Sequence, residues 1–271
     1  MSAEALDALI AGMGPLAVAV SGGVDSLTLA TLAHRRLGST AMLAVHAASP
    51  AVPTEATRRV RDLAARQGWR LRVIEAGEFA DPAYRANPVN RCFFCKTNLY
   101  GAIAQVTDWQ IVSGANLDDL GEYRPGLDAA REHGVRHPFV AAGLDKAAVR
   151  RLARGLGLGA VADLPASPCL SSRVETGIRI EPETLAFIHA VERLVGGALA
   201  ADGAETRVRC RVREVGVVVE LDPRSLALLD ARVRAELDAA IRSRAPDRLR
   251  GAVRFAPYRN GSAFLHAEAA R

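Results

Sequence analysis

The chain has 271 residues, of which 49% are hydrophobic, so it can form one large domain or two smaller ones around a substantial core. Its uncharged apolar stretches are far shorter than a membrane span, and its first residues do not resemble a signal peptide, so we expect a cytoplasmic protein without a membrane partner. A net charge of +5 suits an anionic ligand or RNA, but the 35 basic residues are dispersed among 30 acidic ones. Four cysteines without an export signal favour thiol chemistry or metal binding over disulfides.

The first half of the chain alternates between apolar runs and helical patterns. The predicted strands are Leu16–Val20, Ala41–His46, Arg70–Glu75 and Trp109–Ser113. The predicted helices between them are Val24–Leu37, Thr54–Gln67 and Lys96–Val106. This alternation predicts an α/β fold, in which a parallel sheet carries helices on both faces and binds ligands at the carboxyl ends of its strands.

The second half of the chain has a different predicted order of helices and strands. Helices are expected over Asp145–Gly155, Pro182–Val195 and Pro223–Ser243. Strands are expected over Thr206–Glu214, Gly216–Leu221 and Gly251–Phe255. We therefore predict a nucleotide-binding domain over residues 1–175 and a small C-terminal α+β unit over residues 176–271, which serves the substrate or oligomerisation.

The segment Ser21–Ser26 reads SGGVDS and lies where the first strand turns into a helix. Gly22 and Gly23 let the backbone approach an anion closely, Ser21 and Ser26 add hydroxyl donors, and the helix start aims unpaired N–H groups at the ligand. The segment is not the Walker-type phosphate loop of kinases and GTPases, and no such string occurs elsewhere in the chain. It predicts a phosphate site of another kind.

Cys92 and Cys95 form a Cys-x-x-Cys pair at a predicted helix start, where the thiolate form is favoured. A structural zinc site would need a second close pair, which does not follow, and a thioredoxin-like redox pair would leave the phosphate loop idle. Cys169 lies in a segment that two prolines keep from forming a helix, and the neighbouring Arg173 suits an anionic ligand. The alternative for Cys169 is a small buried hydrophobic residue.

The motifs together resemble one group of proteins. The hexapeptide Ser21–Ser26 resembles the loop of the PP-loop ATP pyrophosphatases, whose fold is of the adenine nucleotide alpha hydrolase type. Four further segments occur in the order seen in the LarE family of ATP-dependent sulfur transferases of nickel-pincer cofactor synthesis: Arg91–Lys96, Gly114–Gly126, Pro168–Arg173 and Tyr258–Ser262. The resemblance spans almost the whole chain.

This resemblance implies the substrates and the metal. ATP would adenylate a carboxylate of pyridinium-3,5-biscarboxylic acid mononucleotide, releasing pyrophosphate, and sulfur would then convert the acyl adenylate to a thiocarboxylate. Asp25, which we also expect to be catalytic, Asp119 and Glu122 are candidate ligands for Mg²⁺, while an Asx turn or helix cap is the alternative role of Asp119. His46 is expected near adenine. The family also implies a homo-oligomer, specifically a hexamer, and an external sulfide donor.

The source of sulfur divides the family. In single-cysteine members, the cysteine that matches Cys169 gives up its own sulfur and becomes dehydroalanine. Members with cysteines matching Cys92, Cys95 and Cys169 resemble iron–sulfur enzymes, in which a four-iron four-sulfur (4Fe-4S) cluster passes on an extra sulfide. This chain has all three cysteines, which favours the cluster; self-sacrifice and zinc on the same thiols stay open.

The fourth cysteine lies in an alternating segment, residues 207–213. Alternation places Cys210 on an apolar face, as a core residue, and puts four arginines on the other face. Those arginines must be solvated, matched by acids, or matched by an anion such as a mononucleotide phosphate. The resemblance places Arg207 and Arg209 in the region of the substrate phosphate.

Two other functions remain possible on the sequence alone. Some tRNA thiolases combine a similar ATP loop with Cys-x-x-Cys and an iron–sulfur cluster, and the basic composition suits them. The chain lacks a recognisable RNA-binding domain, however, so we do not expect nucleic acid as a partner. The other alternative is a nucleotide sensor that a structural zinc site stabilises and that has no catalytic activity.

Overall fold

The computed structural model describes residues 3–121, 124–200 and 206–264. The described chain divides into two compact units. The first comprises the chain up to Asp81 together with Asn90–Ser167, and the second comprises Pro82–Val89 and the chain from Pro168 onward. The domain boundary that the sequence predicts after residue 175 stays a prediction. No helix among the described residues is both long enough and apolar enough to cross a membrane.

The strands form one sheet in each unit. They are β1 (Leu16–Ala19), β2 (Met42–Ala47), β3 (Arg70–Ile74), β4 (Gln110–Val112), β5 (Val208–Arg213), β6 (Gly216–Leu221) and β7 (Val253–Pro257). In the first unit all pairings are parallel and the order is β3-β2-β1-β4. In the second unit the order is β5-β6-β7, with β5 antiparallel and β7 parallel to β6.

The helices lie between and around these strands. They are α1 (Ala3–Ala11), α2 (Val24–Ala41), α3 (Thr54–Gln67), α4 (Pro82–Arg85), α5 (Arg91–Ala104), α6 (Pro125–Glu132), α7 (Pro138–Ala141), α8 (Lys146–Gly155), α9 (Gly159–Ala162), α10 (Pro182–Leu199), α11 (Pro223–Ala227) and α12 (Ala231–Arg244).

Both faces of the parallel sheet are covered, which confirms the predicted fold class. Alternate β1 residues enter two separate cores: Leu16 and Val18 pack in one core with α2 and α8, while Ala17 and Ala19 pack in the other with α5. Because β1 and β2 are buried on both faces, their sequences are continuous apolar runs instead of alternating ones. The separate mixed sheet confirms the C-terminal α+β unit.

The helix predicted over Pro223–Ser243 is wrong as a single element, because it is two helices. The Asp222 side chain accepts from the Ser225 N–H at 2.9 Å and begins α11. The Asp230 side chain accepts from the Val233 N–H at 2.8 Å and begins α12. Each aspartate satisfies a helix-start donor that a continuous helix would have bonded internally, so the chain restarts at residue 231.

The segment that precedes the Cys-x-x-Cys pair contributes to the second unit. Asn87 is buried at a positive φ of 56°, and its side-chain amide donates to the carbonyls of Glu175 and Ile178 at 2.8 and 3.0 Å. Tyr84 lies with its hydroxyl 2.7 Å from the Ser171 hydroxyl. These bonds fix the stretch that follows Cys169 in the chain.

Candidate functional site

The loop Ser21–Ser26 contains two glycines, which differ in backbone conformation and in the space around them. Gly22 has a φ of 87°, and a Cβ there would lie 2.8 Å from the Ala56 carbonyl oxygen, so the fold itself requires glycine. Gly23 has an ordinary φ of −87°, and the nearest atom to its Cβ would be the Ser21 hydroxyl at 3.6 Å. The chain therefore leaves room beside Gly23 that any side chain would fill, which suits a cradle for an anion.

The two serines of the loop hold its shape. The Ser26 hydroxyl accepts from the Ser21 N–H at 3.1 Å and donates to the Gly23 carbonyl at 3.2 Å. Ser26 is buried, whereas Ser21 is exposed and its hydroxyl lies 3.1 Å from that of Ser26. Their contact with a nucleotide stays a prediction, but only Ser21 is on the surface.

Asp25 forms an ion pair that the sequence did not suggest. One carboxylate oxygen accepts from the ammonium of Lys146, the first residue of α8, and the other lies 3.4 Å from the side-chain amide of Asn116. One signal could have identified Lys146: the chain has only two lysines, Lys96 and Lys146, among its 35 basic residues. An ammonium is a compact charge with three donors that an arginine fork does not reproduce.

The segment that follows β4 contacts the loop Ser21–Ser26. A Cβ on Gly114 would lie 2.8 Å from the Ser26 nitrogen, so the backbones of the two segments are in close contact. Asp119 accepts from the Asn116 N–H at 3.0 Å and pairs with Arg124 at 3.1 Å. Asp119 thus bonds back to the Asn116 N–H as the third residue of a capping box does, which is the helix-cap alternative, and its role as a Mg²⁺ ligand stays a prediction. Glu122 lies outside the described residues.

Arg59 of α3 is a second cation at the loop that sequence reasoning missed. Its guanidinium Nη1 donates to the Gly22 carbonyl at 2.6 Å. Burial lowers the pKa of the Arg59 guanidinium, and the charge of Glu55 opposes that change. Two arginines precede Val60 in the sequence, and no pattern there separated Arg59 from Arg58.

His46 is buried, with both ring nitrogens bonded inside the chain. Its Nδ1 lies 2.8 Å from the Val20 carbonyl oxygen, and its Nε2 lies 2.9 Å from the Thr57 hydroxyl. Because a carbonyl only accepts, Nδ1 is the donor and Nε2 accepts from Thr57. Burial lowers the pKa of His46 despite the bond to Val20. His46 thus links the end of β1 to α3, and its contact with adenine stays a prediction.

The Cys-x-x-Cys pair lies in the first turn of α5, which begins at Arg91 and not at the predicted Lys96. Cys92 and Cys95 are half-buried. A Cβ on Gly126 of α6 would lie 3.1 Å from the Lys96 side chain and 3.6 Å from the Cys92 carbonyl oxygen. The close approach of α6 fixes this turn, and positions three apart lie on one side of a helix.

Cys169 is half-buried in a loop that the buried Arg173 side chain holds by hydrogen bonds. The Arg173 guanidinium, 2% exposed, donates to the carbonyls of Pro168 and Cys169 at 2.6 and 3.1 Å. Its Nε and Nη2 donate to the two carboxylate oxygens of Glu192 at 2.9 and 3.1 Å. Glu192 also accepts from the Cys210 N–H of β5 at 3.0 Å. Arg173, predicted to bind substrate, thus positions the Cys169 loop; any contact with substrate stays a prediction.

The arginines around β5 differ in their partners. Arg211 and Arg213 pair with the same Glu220 carboxylate on β6 at 3.0 and 2.9 Å, so acids match these two. Arg207 is exposed and lies over the Tyr258 ring at 5.2 Å.

Arg209 and Cys210 follow the predicted alternation. Burial lowers the pKa of Arg209, and the charge of Arg173 adds to this effect. Cys210 is fully buried, which confirms it as a core residue, and burial raises the pKa of its thiol.

Several side chains of the candidate site are of types that can bind a metal ion. Within the described residues of either unit, no three side chains of His, Cys, Asp or Glu form a group that could hold a metal ion. Asp25 and Asp119 offer hard oxygen ligands, and Mg²⁺ is commonly bound by one or two carboxylates with phosphate oxygens completing its shell. The Lys146 ammonium already places a cation on Asp25. Carboxylates are the ligand type that Mg²⁺ prefers, and Mg²⁺ binding by Asp25 and Asp119 stays a prediction.

Comparisons with known proteins identify three similar chains. No family model matches the chain. It is 39% identical over 180 residues to an uncharacterized protein of Synechocystis, which covers 65% of this chain and 66% of that one. It is 27% identical over 182 residues to an uncharacterized protein of Methanocaldococcus jannaschii, covering 66% and 68%.

A third relative carries a descriptive name. The pyridinium-3,5-bisthiocarboxylic acid mononucleotide synthase of Lactiplantibacillus plantarum is 28% identical over 180 residues, 65% of each chain. The matched segments thus span about two thirds of these relatives' length. The resemblance to the LarE family that the motifs indicated is confirmed.

Proposed function

We propose that the protein is an ATP-dependent sulfur transferase that converts a carboxylate of pyridinium-3,5-biscarboxylic acid mononucleotide to a thiocarboxylate for nickel-pincer cofactor synthesis. The observation that carries this proposal is the space beside Gly23 at the start of α2, in a loop whose Asp25 pairs with Lys146 and whose Gly22 carbonyl accepts from Arg59. A named relative that is a synthase of the bisthiocarboxylic acid mononucleotide supports the substrate.

The first step is adenylation. The loop N–H groups at the start of α2 hold the β and γ phosphates of ATP, and a substrate carboxylate oxygen attacks the α-phosphorus while pyrophosphate leaves. Asp25 and Asp119 would hold Mg²⁺, which supplies charge neutralisation at the phosphates. The Lys146 ammonium, which pairs with Asp25, is a further positive group for the phosphates.

The second step is acyl transfer to sulfur. The sulfur attacks the acyl carbon, the bond from that carbon to the adenylate oxygen breaks, and AMP leaves. Arg207 and Arg209 hold the phosphate of the mononucleotide, as the resemblance to the LarE family implies, and Arg207 is exposed beside the start of β5. Arg173 and Glu192 keep the Cys169 loop in one conformation through the attack.

The sulfur comes from one of two sources. Cys92, Cys95 and Cys169 supply soft thiolates that fit a 4Fe-4S cluster, and a bound cluster would supply an extra sulfide. In the sacrificial alternative, the Cys169 sulfur attacks and forms a thioester. Removal of the Cα proton then breaks the Cβ–S bond, which leaves a thiocarboxylate and dehydroalanine. Zinc on the same thiols is a third possibility.

Turnover separates these alternatives. Protein reconstituted with iron and sulfide should form more than one thiocarboxylate per chain from ATP, Mg²⁺ and substrate, with Cys169 intact by mass spectrometry. A single turnover with a chain lighter by one hydrogen sulfide would establish the sacrificial mechanism. Iron, zinc and labile sulfide analysis of anaerobically purified protein provides the independent readout. Light scattering would test the hexamer that the resemblance implies.

Replacement of Asp25 tests the adenylation step. The Asp25→Asn variant should lose substrate-dependent pyrophosphate release by at least about 100-fold while remaining folded, because a neutral amide no longer holds the Mg²⁺ that offsets the phosphate charge. Asp128→Asn is the matched control, since Asp128 belongs to an exposed pair with Arg131 in the same unit. Pyrophosphate release that needs tRNA would favour the thiolase, and ATP binding without any release would favour the nucleotide sensor.

A further inference from the structure

Arg59 is a half-buried basic residue at the phosphate loop. It lies on the second turn of α3, is half-buried, and donates through Nη1 to the Gly22 carbonyl at 2.6 Å. Gly22 is also where α3 contacts the loop most closely, because a Cβ there would meet Ala56. Arg59 therefore touches the phosphate loop itself.

The charge of Arg59 has no matching carboxylate nearby. In the part of the chain that the structure describes, no Asp or Glu oxygen lies within ion-pair distance of its guanidinium, and Glu55 acts on it only from farther away. Two other arginines with little exposed surface do have carboxylate partners: Arg85 pairs with Glu181 at 2.5 Å, and Arg173 pairs with Glu192 at 2.9 Å. A desolvated cation without a counter-ion is costly, and it is retained where a ligand supplies the opposite charge.

The remaining donors of Arg59 suit a phosphate. The Gly22 carbonyl engages one N–H of a fork that carries five, and guanidinium forks match phosphate oxygens in bidentate geometry. We propose that Arg59 binds the terminal phosphates of the nucleotide, so that it holds the pyrophosphate end of ATP and releases it after adenylation. This inference rests on the proposed use of ATP and assigns a residue of α3 to it.

The neighbouring Arg58 provides the matched control. It lies on the same helix as Arg59, is exposed, and has the same charge. The variants Arg59→Gln, Arg59→Lys and Arg58→Gln would each be titrated by calorimetry with Mg²⁺ and ATP, pyrophosphate, phosphate or AMP, after circular dichroism confirms their folding. Pyrophosphate and free phosphate separate a diphosphate site from a general anion site.

Arg59→Gln should weaken binding of ATP and pyrophosphate by about 10–150-fold, the range of a charge-assisted contact, and leave AMP within about 2-fold. Arg59→Lys should lose less, because an ammonium replaces one of the donors. Arg58→Gln should bind all four ligands as the parent does. If Arg59→Gln does not fold, Arg59→Lys decides, with a loss for pyrophosphate but not for AMP.

Two outcomes would overturn the inference while leaving the proposed function intact. One is an unchanged affinity of Arg59→Gln for pyrophosphate. The other is an equal loss for AMP and pyrophosphate, which means that Arg59 only maintains the loop through Gly22. Failure of the parent protein to bind ATP would instead contradict the proposed function, and the inference with it.

Discussion

Positive charge is concentrated at the phosphate loop and around β5, and the two regions manage it differently. At the loop, Arg59 contacts a backbone carbonyl and no carboxylate among the described residues. Around β5, Arg211 and Arg213 share the buried Glu220. The carboxylate partners make Arg211 and Arg213 structural, whereas Arg59, which has only a carbonyl partner within the described chain, is the residue that we propose for a phosphate.

The same contrast divides the arginines around β5. Arg211 and Arg213 share Glu220, whereas Arg207 is exposed at the start of the strand, where the resemblance to the LarE family puts it and Arg209 near the substrate phosphate. Arg207 lies over Tyr258, a contact that shields only one face of its guanidinium. The comparison therefore predicts that variants at the two ends of β5 will fail in different ways.

The largest effect is expected for substrate binding in the Arg207→Ala/Arg209→Ala double variant. Each charge-assisted phosphate contact contributes about 1.5–3 kcal/mol, so substrate affinity should fall steeply while ATP affinity is unchanged. Calorimetric titration with substrate and with ATP measures both. An unaltered substrate dissociation constant would return the two residues to the solvated face of the strand.

How far the sequence predicts these regions depends on how local their contacts are. The loop was predictable because Ser21–Ser26 is contiguous and its neighbours fix its shape. The partner of Asp25 was not, because Lys146 lies 121 residues away along the chain. Likewise, alternation identified the Cys210 face correctly but could not show that Glu220 neutralises two of the arginines.

Other errors have visible signals in hindsight. Asp230 at the start of α12 is a helix cap inside a segment that otherwise has helical composition. The scarcity of lysine singles out Lys96 and Lys146, since an arginine would serve at most solvated positions. Arg173 and Glu192 required knowledge of the fold, because a buried arginine and a ligand-binding arginine have the same sequence.

The next largest effect is expected in stability. Glu220→Gln leaves Arg211 and Arg213 with a neutral partner in a buried site, so the free energy of unfolding should fall by about 3–5 kcal/mol. Urea unfolding followed by circular dichroism measures it. Glu236→Gln, which removes an exposed pair with Arg232, is the control and should change stability by at most about 1 kcal/mol.

The pH dependence of the same variant sharpens this prediction. Burial alone would raise the pKa of Glu220, but the hydrogen bond from Ser262 and the charge of Arg211 outweigh it, so the pKa lies below the ordinary 4.5. A lowered pKa stabilises the fold above pH 4.5, and this contribution is lost as the pH falls toward the folded-state pKa. Glu220→Gln should therefore lose less stability than the parent over that acid range; an identical acid dependence would contradict the pairing.

A smaller effect separates the two glycines of the loop. Gly22→Ala should destabilise the protein by about 1–3 kcal/mol, because its Cβ would overlap the Ala56 carbonyl at a positive φ. Gly23→Ala should unfold like the parent and yet bind ATP more weakly, and Gly23→Val should bind it more weakly still. Equal stability of Gly22→Ala and Gly23→Ala would remove the distinction between a glycine that the fold needs and one that the ligand needs.

The smallest effect is expected at the Cys169 loop. Arg173→Lys keeps the charge but cannot bind both Glu192 oxygens and the Cys169 carbonyl together, so the loop should sample more conformations without unfolding. Alkylation of Cys169 by iodoacetamide should then accelerate by about 2–10-fold, equivalent to about 0.4–1.4 kcal/mol of lost restraint. Alkylation of Cys92 and Cys95 in the same sample provides the internal control, because both belong to the first unit whereas Arg173 and Cys169 belong to the second. Thiocarboxylate formation should fall through kcat and not through the substrate KM, since the loop positions sulfur and not substrate. A raised substrate KM with unchanged alkylation would instead make Arg173 a substrate ligand, as the sequence first indicated.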